Sequence, residues 1–124
     1  MAKRILVVDD EEIIIRSLTK LLEKIGYEVY VAKNGQDALV MVEEEDFDLV
    51  IADIRMPGMN GVETIKEILK TIGKKGKALP PFIFITGYAD QQVEKETSAL
   101  KPFAYIYKPF DINKLVEKIK EALR

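Results

Sequence analysis

The chain contains no cysteine and no histidine. Without cysteine there is no disulfide, no thiolate zinc site and no thiol nucleophile, although that absence fixes no compartment. Without histidine the chain lacks the commonest general base, the commonest transition-metal ligand and any phosphohistidine of its own. Charge of one sign is also missing. Nineteen basic residues face 21 acidic ones, a formal net charge of −2, which suggests neither a polyanion binder nor an acidic tail. Long hydrophobic runs are absent from the N-terminus, where Met1-Ala2-Lys3-Arg4 is followed by only four apolar residues, Ile5 to Val8, and then acids. That run is too short for a signal-peptide core or a membrane span. The expectation is a soluble cytoplasmic protein without nucleic-acid or membrane partners. Its chemistry must rest on carboxylates, lysine, hydroxyls or a hard metal ion.

What is present is enough for one compact domain over residues 1–124, with 48% apolar residues to build its core. Five short apolar runs stand out: Ile5–Val8, Val29–Val31, Leu49–Ala52, Phe82–Ile85 and Tyr105–Tyr107. Most are continuous rather than alternating, as in strands covered on both faces. Helical spacing links Ile14, Leu18, Leu21, Leu22 and Ile25, then Val62, Ile65, Ile68, Leu69 and Ile72, and finally Ile112, Leu115, Val116, Ile119 and Leu123, with Asp111 placed as an N-cap. Asn34-Gly35 and Asn60-Gly61 would ordinarily mark hairpins, but helical patterns follow both, so they read as loops leading into helices. Alternation of this kind predicts an α/β fold, a doubly wound (βα)5 domain with a parallel five-stranded sheet. The stretch Asp90 to Leu100 has few apolar residues. It reads as a solvated surface helix or as a loosely anchored element free to move.

In such a sheet, functional groups gather at the carboxyl ends of the strands. Asp9 and Asp10 follow the first run, Asp53 the third, Thr86 the fourth and Lys108 the fifth. Three clustered carboxylates repel, by roughly 4 kcal/mol per pair at about 4 Å and an effective dielectric near 20. A cation must occupy the cluster, and oxygen-only ligands point to a hard ion, above all Mg²⁺. Asp9 and Asp10 taken alone could equally be helix caps; Asp53 and Lys108 tip the reading toward a metal site. Asp53 is the candidate nucleophile, since a carboxylate oxygen can attack phosphorus without a general base. Lys108 and the metal would screen the charge, and Thr86 would hydrogen-bond a phosphoryl oxygen. The loop Ile54-Arg55-Met56-Pro57-Gly58-Met59-Asn60-Gly61 could aim a main-chain carbonyl at the metal. Lys108-Pro109 is either a cis bond that orients the ammonium or an ordinary helix-starting proline.

Asp-Asp after the first strand, Asp-x-x-Met-Pro-x-x-x-Gly after the third, Thr-Gly after the fourth and Lys-Pro-Phe after the fifth resemble a response-regulator receiver domain over essentially the whole chain. The resemblance implies a flavodoxin-like three-layer sandwich with strand order 2-1-3-4-5. It implies Asp53 as phosphoacceptor, with Lys108 and Thr86 contacting the phosphoryl group. Asp10, Asp53 and the main-chain carbonyl of Arg55 would hold Mg²⁺ (or Mn²⁺ as a substitute), and Asp9 would act through water. Tyr105 matches the aromatic switch position, and Arg55 and Tyr88 match positions that tune phosphate lifetime. The implied partners are a sensor histidine kinase or histidine phosphotransfer protein and a downstream protein target. The implied state is a monomer or a weak phosphorylation-dependent dimer, and the implied activity is self-directed phosphoryl transfer rather than enzymatic turnover.

Two features depart from the family. Lys101-Pro102 replaces the usual Gly-Ala pair before the fifth strand, so no dimer mode is carried over. The stretch Gly73-Lys74-Lys75-Gly76-Lys77-Ala78 is long and basic, and reads as a solvated loop. The chain ends with its last helix, which suits a free-standing regulator and equally a receiver cut from a larger one. A nucleotide or flavin binder is disfavoured because the first strand-to-helix turn offers acids where glycines are needed. An aspartyl phosphatase would need its two acids spaced two residues apart, whereas Asp9 and Asp10 are adjacent. Phosphorylation should draw Thr86 inward and let Tyr105 rotate, repacking the Asp90–Leu100 helix, the fifth strand and the last helix.

Overall fold

β-Branched and aromatic runs become strands, and amphipathic stretches become helices laid across them. In the computed structural model, which describes residues 2–56, 58–87 and 91–124 (Gln91 without its side chain), strands β1 (Arg4–Val8), β2 (Glu28–Ala32), β3 (Leu49–Asp53), β4 (Phe82–Thr86) and β5 (Ala104–Tyr107) alternate with helices α1 (Glu12–Ile25), α2 (Gly35–Glu44), α3 (Gly61–Lys74), α4 (Gln91–Ala99) and α5 (Ile112–Ala122). All strand pairs are parallel and the sheet order is β2-β1-β3-β4-β5, as expected. The three inner strands carry the continuous apolar runs, and their apolar side chains are buried.

The two-residue period of a strand sorts these side chains onto two faces. Leu6, Val8, Val50, Ala52, Phe82 and Phe84 face α2 and α3. Ile5, Val7, Leu49, Ile51, Ile83 and Ile85 face α1 and α5, through Leu18, Leu22, Leu115 and Ile119. Asn34, Asn60 and Asp111 each cap a helix, accepting from the main-chain N–H of Asp37 (2.8 Å), Glu63 (2.9 Å) and Asn113 (2.9 Å). Both Asn-Gly pairs therefore open helices. Helix α4 is anchored thinly by its described side chains. Val93 and the neighbouring Leu100 are only partly buried against the core, and Thr97, whose hydroxyl donates to the Glu94 carbonyl at 3.0 Å, is its buried side chain.

Three findings go beyond the sequence expectations. In α1 the expected Leu18 and Leu22 are buried and Ile14 packs partly buried against the core, but Ile25 is exposed, and Ile15, outside the expected stripe, is buried. The basic stretch is exposed, as expected, with Gly73 and Lys74 ending α3, and two of its lysines are also held. Lys75 Nζ donates to the Val42 and Glu43 carbonyls at 3.0 and 3.2 Å, and Lys77 Nζ grips the Asp46 carboxylate at 2.6 and 2.7 Å. The last carbonyls of α2 have no partner within the helix, so they attract a cation. Finally, Lys101 occupies a left-handed conformation at φ 56°, the position at which the resembled family carries glycine, and a side chain there costs about 1–2 kcal/mol.

Gly61 has a structural role that spacing did not reveal. A Cβ on it would lie 2.2 Å from the Asp53 carbonyl oxygen and 2.8 Å from Ile54 Cα, while its N–H donates to Ile54 O at 2.8 Å. Start of α3 and end of β3 are thus in backbone contact. Gly73, near the end of α3, has open space around it. The same substitution should therefore act in opposite directions. Gly61→Ala is expected to destabilise by about 2 kcal/mol or more, as overpacking does, and Gly73→Ala to stabilise by up to about 1 kcal/mol. Urea unfolding of the two variants beside the wild type checks both signs.

Candidate metal centre

Parallel pairing aligns the carboxyl ends of β1, β3, β4 and β5 along one edge. Val8 lies opposite Ala52, Asp53 opposite Ile85 and Thr86 opposite Tyr107. Hydrogen bonds from Ile54 N to Ile85 O (3.1 Å) and from Lys108 N to Thr86 O (2.7 Å) carry the alignment past the regular strands. Alternation then decides which side chains meet. Asp9, Asp53 and Lys108 continue the face begun by Val7, Ile51 and Ile106, on the α1–α5 side. Thr86 continues the other face, two residues beyond Phe84.

The carboxylates do converge. Ligating oxygens of Asp9, Asp10 and Asp53 lie within 4.8 Å of one another. Asp9 and Asp53 are buried and Asp10 is exposed. Lys108 Nζ sits 2.9 Å from Asp53 Oδ2 and 3.4 Å from Asp9 Oδ2, and also pairs with Glu11. Asp53 Oδ1 accepts from Arg55 N at 3.2 Å, and Asp9 Oδ1 accepts from Glu11 N at 2.9 Å. The Lys108–Pro109 bond is cis, the less common of the two readings of that dipeptide, and Pro109 stands ahead of α5 rather than within it.

Electrostatics show a site short of positive charge. Burial, aided by the charge of Asp53, raises the Asp9 carboxyl to about 6, against the opposing pull of the Glu11 N–H and Lys108. Burial works against the Lys108 ammonium too, but its bonds to Glu11 and Asp53 and the charges of Asp9 and Asp53 outweigh it and hold the group above its ordinary range. Asp9 Oδ2 is buried without a hydrogen-bond donor. A hard divalent ion fits this set, because all its donors are oxygens and one of them is an unsatisfied buried carboxylate oxygen.

Thr86 is fully buried at the end of β4. Tyr105 lies partly buried on the same face, its ring 6.4 Å from that of Phe84 and 5.1 Å from that of Tyr107. Arg55 is exposed. Tyr88, expected to tune lifetime, and Pro57 of the loop lie outside the described residues. Glu11 was missed by sequence reasoning. It stands in the visible run Asp9-Asp10-Glu11-Glu12, but nothing in the spacing says which of those acids reaches the lysine.

A family model described as the response regulator receiver domain matches residues 5–120. The chain belongs to the response-regulator receiver family. Solved structures agree. A CheY-like receiver domain protein from Methanospirillum hungatei JF-1 is 37% identical with a TM-score of 0.89, covering 99% of this chain and 94% of that one. Response regulator protein TrrA from Thermotoga maritima, solved in complex with Mg(2+)-BeF, is 40% identical with a TM-score of 0.80, covering 98% and 99%. Chemotaxis protein CheY4 from Vibrio cholerae is 27% identical with a TM-score of 0.87, covering 99% and 100%.

The raised Asp9 carboxyl in this receiver has a signed consequence. A group whose pKa is raised on folding adds stability below its unfolded value, near 3.8, and loses it as pH climbs through the folded value, about 6. In chelator, Asp9→Asn should therefore match the wild type near pH 4, gain on it up to about pH 6 and level off above. Urea midpoints across that range measure the difference. A gap that narrows with rising pH would contradict the assignment.

Proposed function

We propose that this receiver is a phosphorylation switch of a two-component or phosphorelay system, with the phosphoryl group carried on Asp53. The observation that carries the reading is a buried carboxylate, Asp53, held between an acid pair and an ammonium at a strand edge, with a buried hydroxyl at the end of the neighbouring strand.

An Asp53 carboxylate oxygen attacks the phosphorus of the donor. The new bond is an acyl phosphate, and the bond that breaks is P–O in acetyl phosphate or P–N in a phosphohistidine. The leaving group departs with the electron pair, and no general base is required because a carboxylate oxygen is itself the attacking group. Lys108 neutralises charge on the transferring group, and Thr86 donates its hydroxyl to a phosphoryl oxygen. Asp10, Asp53 and the main-chain carbonyl of Arg55 would hold Mg²⁺ (or Mn²⁺), with Asp9 acting through water; when bound, the ion screens the phosphoryl oxygens. A relative 40% identical in sequence is described with Mg(2+)-BeF, and the unsatisfied Asp9 oxygen in this chain supports the same class of ion.

The output follows from Thr86 lying on the face that carries Tyr105 and α4. Drawn toward the phosphoryl oxygens, Thr86 vacates space that Tyr105 enters, and the α4–β5–α5 surface changes shape. Couplings of this kind are about 1–3 kcal/mol, enough to bias an existing equilibrium. The donors on this reading are a sensor histidine kinase or a histidine phosphotransfer protein, and the receiver of the signal is a downstream protein. The chain acts on itself and turns over no separate substrate. The reading places it in the cytoplasm; among the described residues, no helix is long and apolar enough to cross a membrane.

The test is incubation with acetyl phosphate and Mg²⁺ followed by intact-mass measurement. Wild type should gain one phosphoryl group and Asp53→Asn none. Thr86→Ala should be labelled, yet show a smaller change in tyrosine fluorescence on labelling. Equal labelling of Asp53→Asn would overturn the reading.

A further inference from the structure

The Lys108 ammonium donates to Asp53 at 2.9 Å and to Glu11, and lies 3.4 Å from Asp9 Oδ2 without a hydrogen bond to it. A phosphoryl oxygen arriving at Asp53 competes with these carboxylates for the ammonium. Asp53 carries the phosphoryl group itself. Asp9 is fully buried and tied by its other oxygen to Glu11 N. Glu11 differs from both. Its side chain is 54% exposed, it stands at the N-cap of α1 yet makes no capping hydrogen bond, and Lys108 is the partner that holds its carboxylate. The next residue, Glu12, is independently paired with Lys33 from the end of β2, so releasing Glu11 leaves the start of α1 pinned.

We infer that Glu11 is a positioning residue that competes with an incoming phosphoryl oxygen for the Lys108 ammonium and so slows phosphorylation. The inference rests on Asp53 being the phosphoacceptor. Two effects act in the same direction. Glu11 competes with the phosphoryl oxygen for Lys108, and its charge adds to the repulsion met by an anionic donor. The N-terminus of α1 offers the displaced carboxylate unpaired N–H groups and the positive end of a helix dipole, so displacement is inexpensive and the brake is mild.

The test compares the full chain with Glu11→Gln and Glu12→Gln, labelled by acetyl phosphate at saturating Mg²⁺ and low salt. Glu12→Gln makes the same charge change one residue away without touching Lys108. Glu11→Gln should raise the labelling rate constant by about two- to fivefold, the range a half-exposed ion pair supports, and Glu12→Gln should leave it near wild type. The gap should shrink at about 1 M salt, where the screening length is about 3 Å. A Glu11→Gln rate equal to or below wild type overturns the inference while leaving Asp53 as acceptor. Equal acceleration by Glu12→Gln also overturns it, since general charge would then suffice. Absence of labelling in the wild type defeats the phosphoacceptor reading itself, and this inference with it.

Discussion

The Lys108 ammonium is the interaction on which the site depends. Folding forces three carboxylates to one sheet edge, and the two buried ones have no other cation close to them among the described contacts. Lys108 offsets much of the resulting repulsion but not all of it, for the Asp9 carboxyl is still pushed up to about 6. The lysine also cannot move freely to compensate. Its own N–H is fixed to Thr86 O at 2.7 Å and its side chain is shared among three acids. A site left short of positive charge by its own side chains is a site prepared for a further cation.

Geometry then divides the labour between the two faces of the sheet. Parity sends Asp9, Asp53 and Lys108 toward α1 and α5, and sends Thr86 toward the face of Phe84, Tyr105 and α4. Because the period is two, a one-residue slip of β4 would exchange Thr86 for Ile85 or Gly87 and disconnect the faces. Such a slip is opposed by the buried runs of β3 and β4, whose side chains fill both layers. The hydrophobic core is what makes the chemistry's register dependable.

Much of this is legible in the amino-acid sequence itself. Continuous apolar runs located all five strands, and the residues at their ends located the acid cluster, Thr86 and Lys108. What stayed hidden depended on close distance rather than on pattern. Spacing could not show that Ile15 is buried while Ile14 is only partly so, because both fall in register with Leu18 and Leu22. It could not show that Gly61 is pressed against the Asp53 carbonyl, since a glycine after asparagine serves a turn equally well. Glu11 and Lys75 were missed for a related reason. A long charged side chain reaches several partners, and only the fold decides which one is near: Lys108 for Glu11, and the end of α2 for Lys75.

The uneven anchoring of the helices has a consequence for how a signal could leave the site. Helix α3 buries six residues, Gly61, Val62, Thr64, Ile65, Ile68 and Ile72, and its first residue abuts Asp53, so it cannot shift without breaking the site. Helix α4 has a buried threonine and partly buried Val93, with Leu100 just beyond. An allosteric coupling of about 1–3 kcal/mol can move only an element whose rearrangement costs about as much. At roughly 25 cal/mol per Å² of apolar surface, repacking α3 lies far outside that range, whereas repacking α4 and the neighbouring Tyr105 lies near it. On the proposed reading, the rigid face holds the phosphoryl group and the lightly held face reports it, and Thr86 is the residue through which one can act on the other.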